Sequence, residues 1–596
     1  MQIFKNRKVF ALLFLLIPFL FFIKPVISSE FILGDDHEII RLNHEALNFS
    51  TAIENDKKIG RFRPFYWTIR TAQAHIFKDR AIYWHGFNYL LAIAGAIFLF
   101  LTLSKLGIKT FTSLFAVWFT FLNLPAVSGW ISLGPQEPLA TFLLIFSFWI
   151  LVLKWNTKQK VFRALFFITV IAFSLTKETY ILFIPGLVFV NLFIQREKIK
   201  LKDNILSAFA KNHDRKLWDE CDAFSASADF APTKRAEKIP LKSVSGTSFF
   251  KRNSTFILLM SVVFIVTFLT EFLTAQNAFT RNQTVFGGIL FQTLSDKKLL
   301  LNNAGSFLKS LLFYSKLTTL ISVIAFYAFI SLLRGRGVLL KDFIKNYKVG
   351  LFLTLGFWLT LILQVIVYST KTYVSYHYPS PSILIVILWL AFVINYLSKF
   401  AFRFQKIIFT LAFLIILISI LKLSISYAYS RYYDSKRLLF VLDSIDSFLA
   451  NSDSIIISAN PSYMYEPVYS IKIFLESYGK NYDYYFLPDS ELVSYNQRKV
   501  PREFLLLNVG KDNFVNSTID VNLVPISKRA FVILLKSPNT NYDKLIEVVR
   551  LNSYRLGQTN EINLNTQVPN KTASRIGLNL SYINPHYTLF FISANK

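Results

Sequence analysis

Residues 31–40 are Phe-Ile-Leu-Gly-Asp-Asp-His-Glu-Ile-Ile, and they follow closely on an apolar run from Val9 to Ile27. The run is long enough to cross a bilayer, which takes about 20 apolar residues. Basic residues precede it, and no convincing small-residue cleavage site follows it. We therefore predict an uncleaved first transmembrane helix, which places the carboxylates of Asp35 and Asp36 at the membrane surface opposite the N-terminus.

The composition is that of a polytopic membrane protein. The chain has 596 residues, of which 53% are hydrophobic and 62 are Phe. Its net charge of +29 would indicate nucleic acid in a soluble protein, but membrane proteins retain Lys and Arg on the cytoplasmic side. No zinc-finger spacing or regular basic-aromatic pattern indicates nucleic acid. The single cysteine, Cys221, excludes an internal disulfide and a cysteine metal cluster.

Apolar runs predict an α-helical bundle with about eleven transmembrane helices. The runs cover roughly 9–27, 84–103, 110–127, 138–153, 161–176, 179–195, 254–274, 305–333, 349–369, 382–398 and 407–428. The short pair on either side of Thr176-Lys-Glu-Thr-Tyr180 can also form one kinked or re-entrant element. Residues 1–428 are thus the predicted membrane domain.

The distribution of Lys and Arg over the short loops predicts the orientation. With the N-terminus in the cytoplasm, the inner loops carry most of the positive charge: Lys105, Lys109, Lys154, Lys158, Lys160, Arg163, Arg334, Arg336, Lys341, Lys345, Lys348, Lys399, Arg403 and Lys406. One predicted outer loop, 275–304, goes against the trend, with Arg281, Lys297 and Lys298. We predict a bacterial inner membrane protein with a cytoplasmic N-terminus and an extracytoplasmic C-terminus.

Three segments are polar enough to lie outside the membrane. The first outer loop, 28–83, contains helix-periodic stretches at Ile39–Phe49 and Tyr66–Phe77, which suggest surface helices. Residues 195–252 form a predicted, partly disordered cytoplasmic loop. Residues 429–596 form a predicted extracytoplasmic α/β domain. Its predicted helices are 439–449 and 541–550, and its predicted strands are 454–458, 484–487, 504–507, 531–535 and 589–592.

Asp35 and Asp36 are the first candidates for chemistry. Adjacent residues in a loop point apart, so that one carboxylate can act as a base while the other orients a hydroxyl or binds a cation. A carboxylate at a low-dielectric boundary also acquires a raised pKa, unless a cation offsets the effect. The structural alternative is a cap for a helix that begins near His37.

Three basic residues near the predicted outer face can contact a phosphate. Arg61 and Arg63 lie in Gly60-Arg-Phe-Arg-Pro64, and guanidinium presents a planar fork of donors to phosphate. Lys177 lies next to Glu178 between two apolar runs, where a lipid phosphate would arrive. The alternatives are interfacial snorkelling for the arginines and a structural ion pair for Lys177 and Glu178.

Two further outer loops carry aromatic and polar residues that can bind a sugar. His377 stands between Tyr376 and Tyr378 just before the tenth span. Trp130 and Glu137 lie in a Gly/Pro-rich loop before the fourth. The alternatives are a structural histidine and an ordinary turn. The predicted orientation places all these candidates on one face of the membrane.

This pattern resembles the GT-C superfamily of membrane glycosyltransferases, which includes the protein O-mannosyltransferases and the aminoarabinose transferases of lipid A. The matching features are Asp35-Asp36 in a long, helical first outer loop, Lys177-Glu178 after short spans, Tyr-His-Tyr-x-x-Pro at 376–381, and a C-terminal outer domain. The family often has Asp-Glu where this chain has Asp-Asp. The Arg-Phe-Arg-Pro segment is not a general mark of the family.

The resemblance implies inverting transfer of a sugar from a polyprenyl-phosphate donor to an acceptor hydroxyl on a glycan, lipid or protein. It implies that Asp35, or else Asp36, is the base, and that Arg61, Arg63, Lys177 and His377 contact the donor phosphate. Glu178, Trp130, Glu137, Tyr376 and Tyr378 would contact sugar or acceptor. A divalent metal at Asp35 and Asp36 remains open, because some family members use one and others do not.

Two other functions compete with the transferase. A flippase or transporter of lipid-linked glycans would place its charges near the bilayer midplane, whereas these charges cluster at one face. A membrane scaffold acting through its outer domain would leave Asp35 and Asp36 without a purpose.

Overall fold

The computed structural model describes most of the membrane part and a smaller share of the C-terminal part. The described residues are 7–32, 36–44, 48–58, 61–154, 160–188, 246–280, 297–333, 358, 360–369, 375–400, 403–448, 454–459, 465–477, 479, 483–488, 492–495, 498–501, 507–508, 530–535, 561–563 and 587–592. The predicted helix 541–550 and nearly all of the predicted cytoplasmic loop 195–252 lie outside them.

Helices make up most of the described chain. They are α1 Arg7–Leu16, α2 Ile23–Ser28, α3 His37–His44, α4 Phe49–Lys58, α5 Pro64–Phe77, α6 Ala81–Lys105, α7 Thr110–Phe121, α8 Leu124–Ile131, α9 Glu137–Lys154, α10 Lys160–Ser174, α11 Gly246–Thr280, α12 Lys297–Lys309, α13 Leu317–Leu333, α14 Ser380–Phe400, α15 Arg403–Phe448 and α16 Tyr465–Glu476. Short turns at Ile17–Phe22, Glu178–Tyr180 and Ser310–Tyr314 extend or connect them.

Four helical stretches of the described chain are long and apolar enough to cross a membrane: Phe10–Ser28, Ala81–Lys105, Ser380–Ser398 and Phe404–Lys436. Two bent pairs, α7 with α8 and α12 with α13, raise the number to six if each pair is one span. Five shorter apolar helices coincide with the other predicted spans: Glu137–Leu153, Ala164–Ser174, Glu178–Val188, Phe256–Thr270 and Thr360–Ser369. The number eleven therefore stays a prediction, whereas the apolar character of the bundle is observed.

The bend of 59° between α7 and α8 has a local cause. The side chain of Asn123 accepts a hydrogen bond from the Ala126 amide at 3.0 Å, which caps the start of α8. Its amide group also donates to the carbonyl oxygens of Phe119 and Thr120, at 2.6 and 2.9 Å, at the end of α7. Pro125 then starts α8 without needing a donor. One side chain thus satisfies both helix ends inside the bundle.

Helix α9 packs against both α6 and α10, and Gly95 sets how closely α6 approaches α7. A Cβ atom built on Gly95 would lie 2.8 Å from Phe121 Cζ. The aromatic ring therefore occupies the space that a side chain would need.

We expect Gly95→Ala to destabilise the protein by about 1–3 kcal/mol, because the added methyl group overpacks this contact. Gly86→Ala on the same helix is the matched control, since its Cβ would meet nothing within 4 Å. Thermal unfolding of the detergent-solubilised protein measures both. Equal midpoints for the two variants would contradict the close contact between α6 and α7.

Strands appear only in the C-terminal part of the described chain. They are β1 Ser454–Ala459, β2 Asp483–Pro488, β3 Leu492–Tyr495, β4 Arg498–Pro501, β5 Leu507–Asn508, β6 Ala530–Leu535, β7 Glu561–Asn563 and β8 Tyr587–Ile592. Six form one sheet in the order β5-β2-β1-β6-β8-β7, with β1 parallel to β2 and β6, and β3 pairs with β4. Helix α16 connects β1 to β2, as a parallel pair requires.

Helix α15 runs without interruption from Arg403 to Phe448. It therefore passes through position 428, where the sequence suggested the end of the membrane domain. That the residues beyond it form a separate extracytoplasmic domain stays a prediction.

The segment predicted as the first outer loop contains three short helices, α3 to α5, around a small apolar core. The core residues are Ile39, Leu42, Ala52, Ile53, Tyr66, Trp67, Ala74, Trp84 and Leu133. Helix α4 was not predicted, and α3 ends at His44 rather than near Phe49. Because Trp84 belongs to α6 and Leu133 to the loop before α9, this core attaches the loop to the bundle.

Candidate functional site

Several of the predicted site residues lie at one end of the bundle, where helices begin or end. Glu137 begins α9 and Lys177 follows α10, and these two helices pack against each other. His377 lies just before α14. The amide of Phe65, two residues after Arg63, donates to the Leu175 carbonyl at 3.2 Å and joins the first loop to the same place. We call Arg61, Glu137, Lys177, Glu178 and His377 the charge cluster.

Lys177 and Glu137 form a buried ion pair at the centre of the charge cluster. The Lys177 ammonium donates to Oε1 of Glu137, and both side chains are almost fully buried. His377 Nε2 lies 3.8 Å from the same oxygen. The other oxygen of Glu137, Oε2, is buried without a hydrogen-bond partner among the described residues. A buried carboxylate oxygen in this state is an acceptor for a hydroxyl group that enters the site.

Aromatic rings enclose the Lys177 ammonium. Its nitrogen lies 4.6 Å from the ring centroid of Tyr378 and 5.7 Å from that of Tyr368. The two rings stack on each other with centroids 4.6 Å apart, and the Tyr368 hydroxyl is 3.0 Å from Oγ1 of Thr179. Aromatic faces stabilise a cation where little water reaches it.

Glu178 pairs with Arg61, and Lys177 pairs with Glu137, whereas the structural alternative in the sequence was a pair between Lys177 and Glu178. Nε of Arg61 lies 3.6 Å from Oε1 of Glu178, and both side chains are partly exposed. The reason is geometric, because consecutive residues at the end of a helix point in different directions. Lys177 therefore points inward to Glu137, and Glu178 points towards the first outer loop.

Arg63 is held by Asp56 in a two-pronged pair. Nε of Arg63 donates to Oδ2 of Asp56 at 2.9 Å, and Nη2 donates to Oδ1. Both side chains are buried, and the guanidinium lies over the rings of Tyr66 and Trp67. Burial by itself would lower the pKa of Arg63. The negative charge of Asp56 acts in the opposite direction, and the pKa of Arg63 lies above its ordinary value. Because Asp56 occupies this guanidinium fork, we leave Arg63 out of the phosphate site.

The acidic pair is only half described, because Asp35 lies outside the described residues. Asp36 is 2% exposed, and its Oδ2 accepts a hydrogen bond from the Ile32 amide at 3.0 Å. It also interacts electrostatically with Arg431 of α15. Its neighbour His37 contacts Oγ of Ser470 on α16 at 2.8 Å through Nδ1. Asp36 and His37 thus interact with Ile32 of their own loop and with helices α15 and α16.

Trp130 and Tyr376, two candidates for sugar binding, differ in burial. Trp130 is 3% exposed, its indole N–H donates to the Phe121 carbonyl at 3.1 Å, and its ring packs on Phe22 and Tyr89. These contacts make it a packing residue, so we leave it out of the sugar site. Tyr376 is exposed and packs edge-on against Tyr314.

Sequence reasoning missed Asp56 and Tyr368. Asp56 lies in an ordinary polar stretch, and Tyr368 lies inside an apolar run, so neither stands out before its partner is known. Among the described residues, no group of three His, Cys, Asp or Glu side chains can hold a metal ion.

Comparisons with known proteins give two solved structures of ArnT from Cupriavidus metallidurans. The structure bound to undecaprenyl phosphate aligns with a TM-score of 0.39 and 11% identity, covering 79% of this chain and 85% of that one. The apo structure aligns with a TM-score of 0.37 and 11% identity, covering 80% and 86%. No protein-family profile and no curated protein sequence matches the chain.

Proposed function

We propose that this protein is a membrane glycosyltransferase that moves a sugar from a polyprenyl-phosphate donor to an acceptor hydroxyl, with inversion at the anomeric carbon. The observation that carries the proposal is the buried, aromatic-lined ammonium of Lys177, paired with Glu137 and flanked by His377. Such a cation at the end of an apolar bundle is suited to a lipid-linked phosphate, which arrives from the bilayer.

The proposed reaction needs one base and one set of cations. The acceptor hydroxyl attacks the anomeric carbon while a carboxylate of the first outer loop, Asp35 or Asp36, takes its proton. The bond from the anomeric carbon to the phosphate oxygen breaks, and polyprenyl phosphate leaves with the electron pair. Lys177, Arg61 and His377 stabilise the negative charge that develops on this phosphate.

Glu137 forms the ion pair with Lys177 when no donor is bound. A donor phosphate competes with Glu137 for the ammonium, and His377 can then take over Oε1 of Glu137 from 3.8 Å away. The open acceptor Oε2 of Glu137 is suited to a sugar hydroxyl. Glu178 and Tyr378 complete this site, and Tyr376 lies at its exposed side.

The test is sugar transfer by the purified full-length protein from a panel of polyprenyl-phosphate sugars. Asp35→Asn and Asp36→Asn are measured beside wild type. We expect one of the two variants to fold normally and lose turnover by about 100-fold or more, as expected for removal of a general base. Wild-type activity in both variants would refute the assignment of the base. Movement of lipid-linked glycan across liposomes, without transfer from any donor, would refute the transferase.

A further inference from the structure

Arg70 of α5 is a further buried cation, and no carboxylate of the described residues pairs with it. It is 4% exposed. Its guanidinium donates to Oε1 of Gln73 at 3.2 Å and to the Leu133 carbonyl, and it lies over the rings of Tyr66 and Trp84. Burying a charge without an opposite charge is costly, so that an external anion would stabilise this arrangement.

Gln73 contributes an unused donor next to Arg70. Its side chain is 5% exposed, and Nε2 is buried without a hydrogen-bond partner in the described structure. The donation from Arg70 to Oε1 fixes the orientation of the amide, so that Nε2 is the open side. An amide N–H group in this position requires an acceptor.

Arg70 and Gln73 line the same cleft. Its other buried walls are Tyr66, Asn88 and Pro135, and its half-buried rim consists of Ile69, Phe87, Gln136 and Leu139. Tyr66 and Asn88 are already engaged, through hydrogen bonds to the carbonyl oxygens of Gly134 and Ser132. The free space is narrow, and Gln136 at the rim donates to the Gly134 carbonyl at 3.2 Å, so that a phosphate group requires this rim to open.

We propose that this cleft binds a phosphate group, with the Arg70 guanidinium and the Gln73 amide as its donors. A phosphate group is favoured because its several oxygens can accept from both donors at once, and guanidinium binds phosphate through parallel N–H groups. The apolar rim, on a loop predicted to lie at the membrane surface, fits the phosphate of a lipid headgroup as well as a free phosphate ion. The site does not depend on the transferase proposal, because it uses none of the charge-cluster residues.

Gln73→Glu tests the site, because it places a carboxylate of the same size beside Arg70 and supplies the missing anion internally. The full-length protein in detergent is titrated with inorganic phosphate while thermal unfolding is followed. We expect wild type to be stabilised by phosphate, as a ligand of the folded state requires. In Gln73→Glu we expect a higher midpoint without phosphate and a phosphate response at least about tenfold weaker, as for loss of charge-assisted hydrogen bonds.

Native mass spectrometry with phosphatidylglycerol distinguishes the source of the phosphate. Loss of bound lipid in Gln73→Glu supports a headgroup site, and loss of only the inorganic phosphate response supports a free-phosphate site. Arg80→Gln, an exposed arginine just beyond α5, is the control that should leave both unchanged. Phosphate binding lost in Lys177→Met but retained in Gln73→Glu would belong to the charge cluster and overturn the proposal. Absence of any phosphate response in wild type would also overturn it.

Discussion

Replacing Lys177 by Met is expected to lower sugar transfer by about 100-fold or more, and to destabilise the protein as well. Loss of one donor that stabilises developing negative charge typically costs a factor of about 100–1,000 in turnover. The same change leaves Glu137 as a buried carboxylate without its cation. Breaking a buried pair in this way costs about 3–5 kcal/mol. Transfer rates and unfolding midpoints of the purified variant measure the two effects separately.

The double variant Lys177→Met with Glu137→Gln separates catalysis from folding. It removes both charges, so that we expect most of the stability to return while the transfer rate stays low. Lys436→Met is the matched control, because Lys436 forms a pair with Glu30 at 3.0 Å in which both side chains are 41% exposed. An exposed pair contributes only about 0–1 kcal/mol. Full transfer activity in the double variant would show that Lys177 does not contact the leaving phosphate.

Asp56 lies outside the charge cluster, and its replacement by Asn is expected to destabilise the protein strongly. The guanidinium of Arg63 is buried, and Asp56 holds it by two hydrogen bonds. Without the carboxylate we expect the free energy of unfolding to fall by about 3–5 kcal/mol. Because Arg63 directly precedes α5, whose Phe65 amide binds the Leu175 carbonyl, the change should also disturb the position of Lys177 and lower transfer.

Glu476→Gln is the control for Asp56→Asn. Glu476 pairs with Lys472 at 3.1 Å within α16, and its side chain is 41% exposed. A helical pair of this kind contributes about 0.3–0.5 kcal/mol. Similar unfolding midpoints for Asp56→Asn and Glu476→Gln would contradict the view that Asp56 and Arg63 anchor the first outer loop.

Pairing decides which of the predicted charges can take part in chemistry. Arg61, Arg63 and Lys177 were equivalent candidates in the sequence. In the structure Arg63 is occupied by a buried carboxylate, whereas Arg61 and Glu178 are only 3.6 Å apart and partly exposed. Lys177 combines burial, aromatic faces and a carboxylate with one open oxygen. The three cations therefore differ in role because their pairing partners differ.

The sequence by itself determined the elements of this protein. Apolar runs predicted where the long apolar helices of the described bundle lie, because a helix that crosses lipid needs about 20 mostly apolar residues. They did not predict α4, nor the breaks between α7 and α8 and between α12 and α13. Short β-branched and aromatic stretches predicted strands near 454–458 and 531–535, and the structure has β1 and β6 there. Asn123 and Pro125 lie at the bend between α7 and α8, whereas the apolar run over 110–127 predicted a single span.

Only the tertiary structure decided which side chains meet. Lys177 and Glu137 are 40 positions apart, and Arg70 reaches Leu133 across 63 positions. Periodicity and composition indicate the environment of a residue within a few helical turns along the chain. A pair between two helix ends depends on how the helices pack. The same long-range packing buried Trp130 and left Gln73 with an open donor. Helices and strands follow from local sequence. The charge cluster and the proposed phosphate cleft depend on which helix ends pack together.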